Sequence, residues 1–240
     1  MVGARGRAEE ALERLRAAAD PERREKTCTY FPSRLEILGV SAPAQRAVLR
    51  PLARALRDAP APEVLRVARA LLDTGVHEAR QVAFELVGGR TDVVAGLTGK
   101  AVEALGRGND NWASVDAFSV VVAGPAWRDG KVGDADVLRW CRSADRWWRR
   151  TALVSTVALN MRSRGGGGDA PRTLRVGHVL AGDADPMVAK GLSWALRALV
   201  GVDPEAVRGF LAEHGAAVPA LVRREVGNKL ATGLKSGRRR

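Results

Sequence analysis

A helical hydrophobic period runs almost the whole length of this chain, and it constrains the fold more than any other feature. Between Ala44 and Arg57, Val48, Leu49, Leu52 and Leu56 share one face. Between Pro62 and Leu72 the same is true of Val64, Leu65, Ala68, Leu71 and Leu72. Equivalent spacing predicts further helices over about 76–87, 91–105, 111–123, 134–142, 146–161, 171–181, 186–200, 204–213 and 217–233. The breaks between them are short and carry turn chemistry, as in Gly88-Gly89, Gly106-Arg107-Gly108 and Gly201-Val202-Asp203-Pro204. No alternating run demands a sheet, and the expected class is all-α.

Internal similarity narrows the architecture. Asp145-Arg-Trp-Trp-Arg-Arg-Thr-Ala-Leu aligns with Asp185-Pro-Met-Val-Ala-Lys-Gly-Leu-Ser at an offset of 40. Each begins with Asp, has a basic residue five later (Arg150, Lys190), and carries Ala-Leu further on (Ala158-Leu159, Ala198-Leu199). Val222 through Arg224 to Leu234 follows at a similar interval. A period of about 40 built from helix pairs is the mark of a HEAT-like α-solenoid, because each pair exposes an apolar face that only its neighbour covers. We therefore expect a C-shaped stack of antiparallel helix pairs with a basic concave face. Residues 1–26 would be a helical or partly flexible lead segment, 27–233 the repeat domain and 234–240 a basic flexible tail.

Composition matters here mainly through charge. A formal net charge of +12 draws polyanions to the chain, and a duplex suits the hollow of a curved array. No apolar run approaches the roughly 20 residues of a membrane span, and the charged N-terminus shows no signal peptide. A cytoplasmic, nucleoid-associated protein is expected. Cys28, Cys141, His77, His178 and His214 show no metal-ligand spacing, so all five are assigned to structural burial, with no disulfide, metal or cofactor. Arg164-Gly-Gly-Gly-Gly-Asp169 lacks both a Gly-Lys-Ser/Thr ending and a preceding strand. It is taken as a flexible loop between helices rather than a phosphate cradle.

The candidate chemistry lies in three segments that carry four of the six tryptophans. In Asn109-Asp110-Asn111-Trp112-Ala113-Ser114-Val115-Asp116, an Asn or Asp can cap the helix, leaving Trp112 and Asp116 four apart on one face. Trp147-Trp148-Arg149-Arg150 lies near another helix start, and Ser193-Trp194-Ala195-Leu196-Arg197 lies within a third. Each has an ordinary explanation by itself: tryptophan at helical spacing is usually core, and paired arginines are usually solvated.

Their order along the chain nevertheless resembles the AlkD-like alkylpurine DNA glycosylases, a HEAT-like-repeat group of DNA alkylation repair enzymes. The resemblance runs from Tyr30-Phe-Pro-Ser, Leu38-Gly39-Val40 and Pro43-x-x-Arg46 through His77-Glu78-x-Arg80-x-x-Ala83-x-Glu85-Leu86 to Trp112-x-Ser-Val-Asp116. It continues in Trp147-x-x-Arg150-x-Ala152, Lys190-x-x-x-Trp194-x-x-Arg197 and Arg223-Arg224-Glu225, covering about residues 28–230. The resemblance implies that Asp116 is the catalytic carboxylate, that Trp112 and Trp194 flank the deoxyribose of the lesion, and that Arg150 holds the DNA backbone. Arg197 and Tyr30 would support the site, and Arg149, Lys190, Arg223 and Arg224 would add contacts to DNA. Many relatives carry an acidic residue after the first tryptophan where this chain has Ala113, which bears on lesion range.

These residue types suit the reaction. A purine alkylated at N3 or N7 is cationic and leaves readily, so the positive charge growing on the sugar is what needs stabilising. A carboxylate about 4 Å away contributes roughly 4 kcal/mol at an effective dielectric of about 20. Indole faces add about 0.5–2 kcal/mol. The resemblance implies a lesion that stays stacked, without a tight base-flipping pocket, so that binding is weakly sequence-dependent and strongly salt-dependent. No lysine is placed as a Schiff-base nucleophile, and lyase activity is not expected. Two alternatives stand: a self-resistance glycosylase for a bulky N7- or N3-purine adduct in a high-GC bacterium, and a non-catalytic HEAT-repeat scaffold on DNA. The protein would act as a monomer.

Overall fold

The computed structural model describes residues 3–237, so the last three arginines of the basic tail, Arg238 to Arg240, lie outside the described residues. Fifteen α-helices are found among the described residues. They are α1 (Ala4–Ala17), α2 (Pro21–Tyr30), α3 (Ala42–Ala55), α4 (Ala61–Asp73), α5 (His77–Gly88), α6 (Thr91–Ala95), α7 (Gly99–Gly106) and α8 (Trp112–Phe118), followed by α9 (Gly124–Arg128), α10 (Asp134–Cys141), α11 (Arg146–Asn160), α12 (Ala170–Leu180), α13 (Pro186–Val200), α14 (Pro204–His214) and α15 (Ala220–Thr232). No strand occurs among them, only an isolated parallel bridge between Glu36 and Val76. Among the described residues no helix is long and apolar enough to cross a membrane.

The polar breaks of the sequence work as helix starts. Asp20, Ser41, Thr98, Asn111, Asp145, Asp169, Asp185 and Asp203 each accept a first-turn backbone N–H that would otherwise lack a partner. Pro21, Pro186 and Pro204 occupy the first helical position, where a missing N–H costs nothing. Two predicted helices are divided. The 91–105 stretch stops at Gly96 and restarts at Thr98, whose side chain accepts from Ala101 N at 3.2 Å. The 111–123 stretch widens into a π-helical turn, Ser119–Ala123, before α9. There the Ser119 hydroxyl donates to Val115 O at 2.6 Å, sharing that carbonyl with the Ser119 backbone N–H.

The chain forms two compact units that meet in sequence within this turn, one ending at Val122 and the other starting at Ala123. In the first, α4 and α5 pack together, α1 lies on α3 and α4, and α5 also meets α3 and α8. Val64, Val67, Ala68 and Leu71 of α4 and Ala79, Val82, Ala83 and Phe84 of α5 are buried, and Phe84 meets Phe118 of α8 at 5.3 Å. The second unit has two layers. Helices α11, α13 and α15 pack in succession, while α10, α12 and α14 form the parallel row behind them. The sequence similarity at an offset of 40 relates α11 to α13: Asp145 and Asp185 are their respective caps, and α15 takes the third place. This arrangement is consistent with an α-solenoid.

Three expectations change. Gly165–Gly168 is not a slack loop. Gly168 N donates to Leu159 O and Asp169 N to Asn160 Oδ1, both at 2.9 Å. A β-carbon on Gly166 would sit 2.5 Å from the carbonyl oxygens of Ala158 and Leu159, so the glycine run permits a close backbone approach. The uniform burial assigned to the five Cys and His residues holds for His77 and Cys141, but Cys28 and His178 are exposed and His214 is half-buried. Finally, part of the basic tail makes contacts: Lys235 Nζ lies 3.3 Å from Glu225, and its carbonyl accepts from Asn228.

Candidate functional site

Trp112 opens α8 and Asp116 follows one turn later, both half-buried. The start of this helix is set by three consecutive polar residues with distinct tasks. Asn111 is the cap, its Oδ1 accepting from Ser114 N at 2.9 Å. Asp110 reaches back to the segment after α2, accepting from Ser33 Oγ and from Arg34 N at 2.6 Å each. Asn109 Oδ1 accepts from the buried Arg80 at 3.2 Å, and Arg80 also donates to Arg107 O at 2.9 Å. The loop that presents Trp112 is thus held from both sides.

Tyr30 and Phe31 complete the surroundings of the indole. The Tyr30 ring meets Trp112 edge-on at 5.4 Å, and Phe31 does so at 5.6 Å. Tyr30 is 73% exposed, an unusual position for a ring that also packs on another. Phe31, by contrast, is buried against His77. Burial lowers the His77 pKa and Arg80 adds to this, while Glu78 and Asp110 oppose it. Its Nδ1 lies 3.2 Å from Ser114 Oγ in the first turn of α8.

The segment carrying these aromatics is fastened by Glu78. Its carboxylate is only 2% exposed and accepts three consecutive backbone amides, from Leu38 at 3.1 Å, Gly39 at 2.8 Å and Val40 at 3.1 Å. Gly39 has φ +80°, and a β-carbon there would sit 2.3 Å from Asp20 O, so no other residue fits this turn. The His77-Glu78-x-Arg80 motif is therefore a scaffold: one face of α5 clamps residues 31–40 and the loop before α8.

Asp110 makes this clamp acid-sensitive. Burial would raise its pKa, but hydrogen bonds from Ser33, Arg34 N and Asn111, with the Arg34 charge, hold it below the usual carboxylate range. Folding thus favours the charged form. That stabilisation is present above the unfolded pKa of about 4 and disappears as pH falls through the depressed folded value. Asp110→Asn is expected to unfold at lower urea than wild type near neutral pH, with the gap closing as the solution is acidified. A gap that stays constant into acid would remove the Asp110 charge from this account.

In the second unit the candidate residues lie on α11, α13 and α15. Trp194 is half-buried and Lys190 exposed, both on α13; Arg223 and Arg224 are exposed on α15. Arg223 donates to the carbonyls of Ala216 and Val218. Arg197 is tied to Ser193 Oγ at 3.2 Å and lies 3.7 Å from Glu225. Burial pulls its pKa down, and Glu225 opposes this. Burial would raise the pKa of Glu225, but the Ser193 hydroxyl, Lys235 and Arg197 hold it low.

Two arginines depart from the expectation of surface cations. Arg150 is 5% exposed and donates to Met187 O at 2.5 Å, joining α11 to the first turn of α13. Arg149 donates to Asp183 at 2.7 Å and to the carbonyls of Ser143 and Ala144. Phe31, Ser33 and Glu78 stand in the motifs of the sequence, but their roles in packing and clamping are not legible there. The only sequence signal for the tether was the Asn109-Asp110-Asn111 run itself.

The comparisons agree with this architecture. The sequence model of the DNA alkylation repair enzyme family matches residues 11–230. A solved structure described as a predicted DNA alkylation repair enzyme from Enterococcus faecalis superposes with a TM-score of 0.70 at 19% identity, covering 89% of this chain and 97% of its own. Comparison with curated proteins returned no match.

Proposed function

The chain belongs to the DNA alkylation repair enzyme family, and we propose that it is a monofunctional glycosylase that hydrolyses the N-glycosidic bond of cationic N3- and N7-alkylpurines in double-stranded DNA. The observation that carries this reading is Asp116, half-buried one turn beyond a half-buried Trp112 on a helix whose start is anchored on two sides. A carboxylate held in place needs little reorganisation when positive charge develops on the sugar. It can also orient the attacking water.

Trp112, with Tyr30 at its edge, offers ring faces to the deoxyribose, and the role proposed for Trp194 is also that of a ring against the sugar. Lys190, Arg223 and Arg224 supply exposed charge for phosphates. In the free protein Arg149 and Arg150 hold the start of α11 in place, and Arg197 is steadied by Glu225. Their proposed contribution to DNA contact acts through elements they already brace.

A panel of duplexes, each with one lesion, tests the proposal by release of free base. Release of 7-methylguanine and 3-methyladenine without strand cleavage is expected. Release of only a bulky N7- or N3-purine adduct would identify the specialised self-resistance enzyme. No release of any lesion under single-turnover conditions would leave a DNA-binding protein without this chemistry.

A further inference from the structure

The sequence places His178 and His214 far apart, but the fold brings them together with Glu213. His178 lies in the last turn of α12, and Glu213 and His214 end α14. His178 Nδ1 is 2.7 Å from His214 Nε2. Glu213 Oε1 is 3.5 Å from the first nitrogen and 3.7 Å from the second. All three donor atoms fall within 4.8 Å of one another. We propose that His178, Glu213 and His214 form a three-ligand site for a divalent first-row transition ion of the zinc class.

The donor chemistry selects the ion. Of two neutral ring nitrogens that face each other, only one can carry the shared proton, so the other directs a lone pair into the gap. Two imidazoles and one carboxylate suit zinc, nickel or copper(II), whereas magnesium and calcium prefer all-oxygen sites. A tetrahedral ion with bonds of about 2.0–2.1 Å sets its donors about 3.3 Å apart. The two separations from Glu213 are close to that already, and only the imidazole pair has to open. Side-chain exposures of 39%, 62% and 19% for His178, Glu213 and His214 leave a route in and room for a water ligand.

The rings are also held in place. Phe210, itself buried, meets His178 at 5.3 Å and His214 at 4.5 Å, wedging both from beneath. An ion bound here would pin the end of α14 to α12, and it would stabilise the second unit because the unfolded chain does not assemble these donors. None of the three residues takes part in the proposed glycosylase chemistry, so either reading can fail without the other.

The test uses the full chain, stripped with chelator and titrated calorimetrically with zinc chloride. Wild type and Asp116→Asn should both take up one zinc ion per chain saturably, and excess zinc should raise their melting temperature. His178→Ala should lose the uptake and the thermal shift together, and Glu213→Gln should weaken both. His178 is exposed at the surface, so its variant reports on binding rather than on folding, which circular dichroism checks. Absence of saturable uptake in wild type, or uptake in His178→Ala equal to wild type, would overturn the proposal.

Discussion

Asp116→Asn is expected to slow release of 7-methylguanine from duplex DNA about a thousandfold while leaving duplex affinity within a few-fold of wild type. The substitution keeps the shape of the side chain and removes its charge. A fixed negative charge about 4 Å from the developing oxocarbenium ion is worth roughly 4 kcal/mol at an effective dielectric of about 20, and each 1.36 kcal/mol or so is a decade in rate. The effect falls on the chemical step because the sugar is neutral in the ground state and becomes positive only as the bond lengthens. Single-turnover rates at saturating protein measure it directly. Equal rates for the two proteins would remove Asp116 from the chemistry, and a parallel loss of duplex affinity would make it a binding residue instead.

The largest expected effect on stability lies at Glu78. Its carboxylate serves three backbone amides in a site with almost no access to water. Glu78→Ala leaves those donors without a partner and opens a cavity. We expect a cost of about 3–5 kcal/mol, a fall in melting temperature of about 6–20 °C for a chain of this size. Glu78→Gln keeps an acceptor oxygen but loses the charge, and should fall between the two. Loosening residues 38–40 would also release Tyr30 and Phe31 from Trp112, visible as a change in tryptophan fluorescence before global unfolding. A Glu78→Ala variant within about 1 kcal/mol of wild type would show that the turn is held by other means.

Both residues illustrate how far a one-dimensional reading carries. The spacing of Trp112 and Asp116 is visible because helix geometry repeats every 3.6 residues whatever the partner. Which residue caps their helix is not visible, since Asn109, Asp110 and Asn111 are all competent. The choice is made by Ser33, 77 positions away from Asp110: once it and Arg34 engage Asp110, Asn111 is left for Ser114 N. Glu78 looks like an ordinary surface acid of a helical first turn, and only the turn at Gly39 buries it. Arg150 reads as a surface cation beside Arg149, yet the packing of α13 on α11 covers it.

The histidines follow the same logic in the opposite sense. Sequence spacing shows no local metal motif, and it carries no information about ring atoms 36 positions apart that meet at neighbouring helix ends. The Gly165–Gly168 run is likewise ambiguous in sequence, because glycine serves slack chain and tight packing equally.

By itself, then, the sequence determined the all-helical class, most helix starts, the recurrence that relates α11 to α13, and the one-turn spacing of Trp112 and Asp116. All of these follow from local periodicity and capping, which act over a few residues. Tertiary structure alone decided the division of the 91–105 and 111–123 helices, the burial of Arg150 and Glu78, the tether at Asp110 and the meeting of His178 with Glu213 and His214. Each of these depends on a partner distant in the chain, and the hydrophobic force that brings such partners together is non-directional, so it leaves no signature in the order of nearby residues.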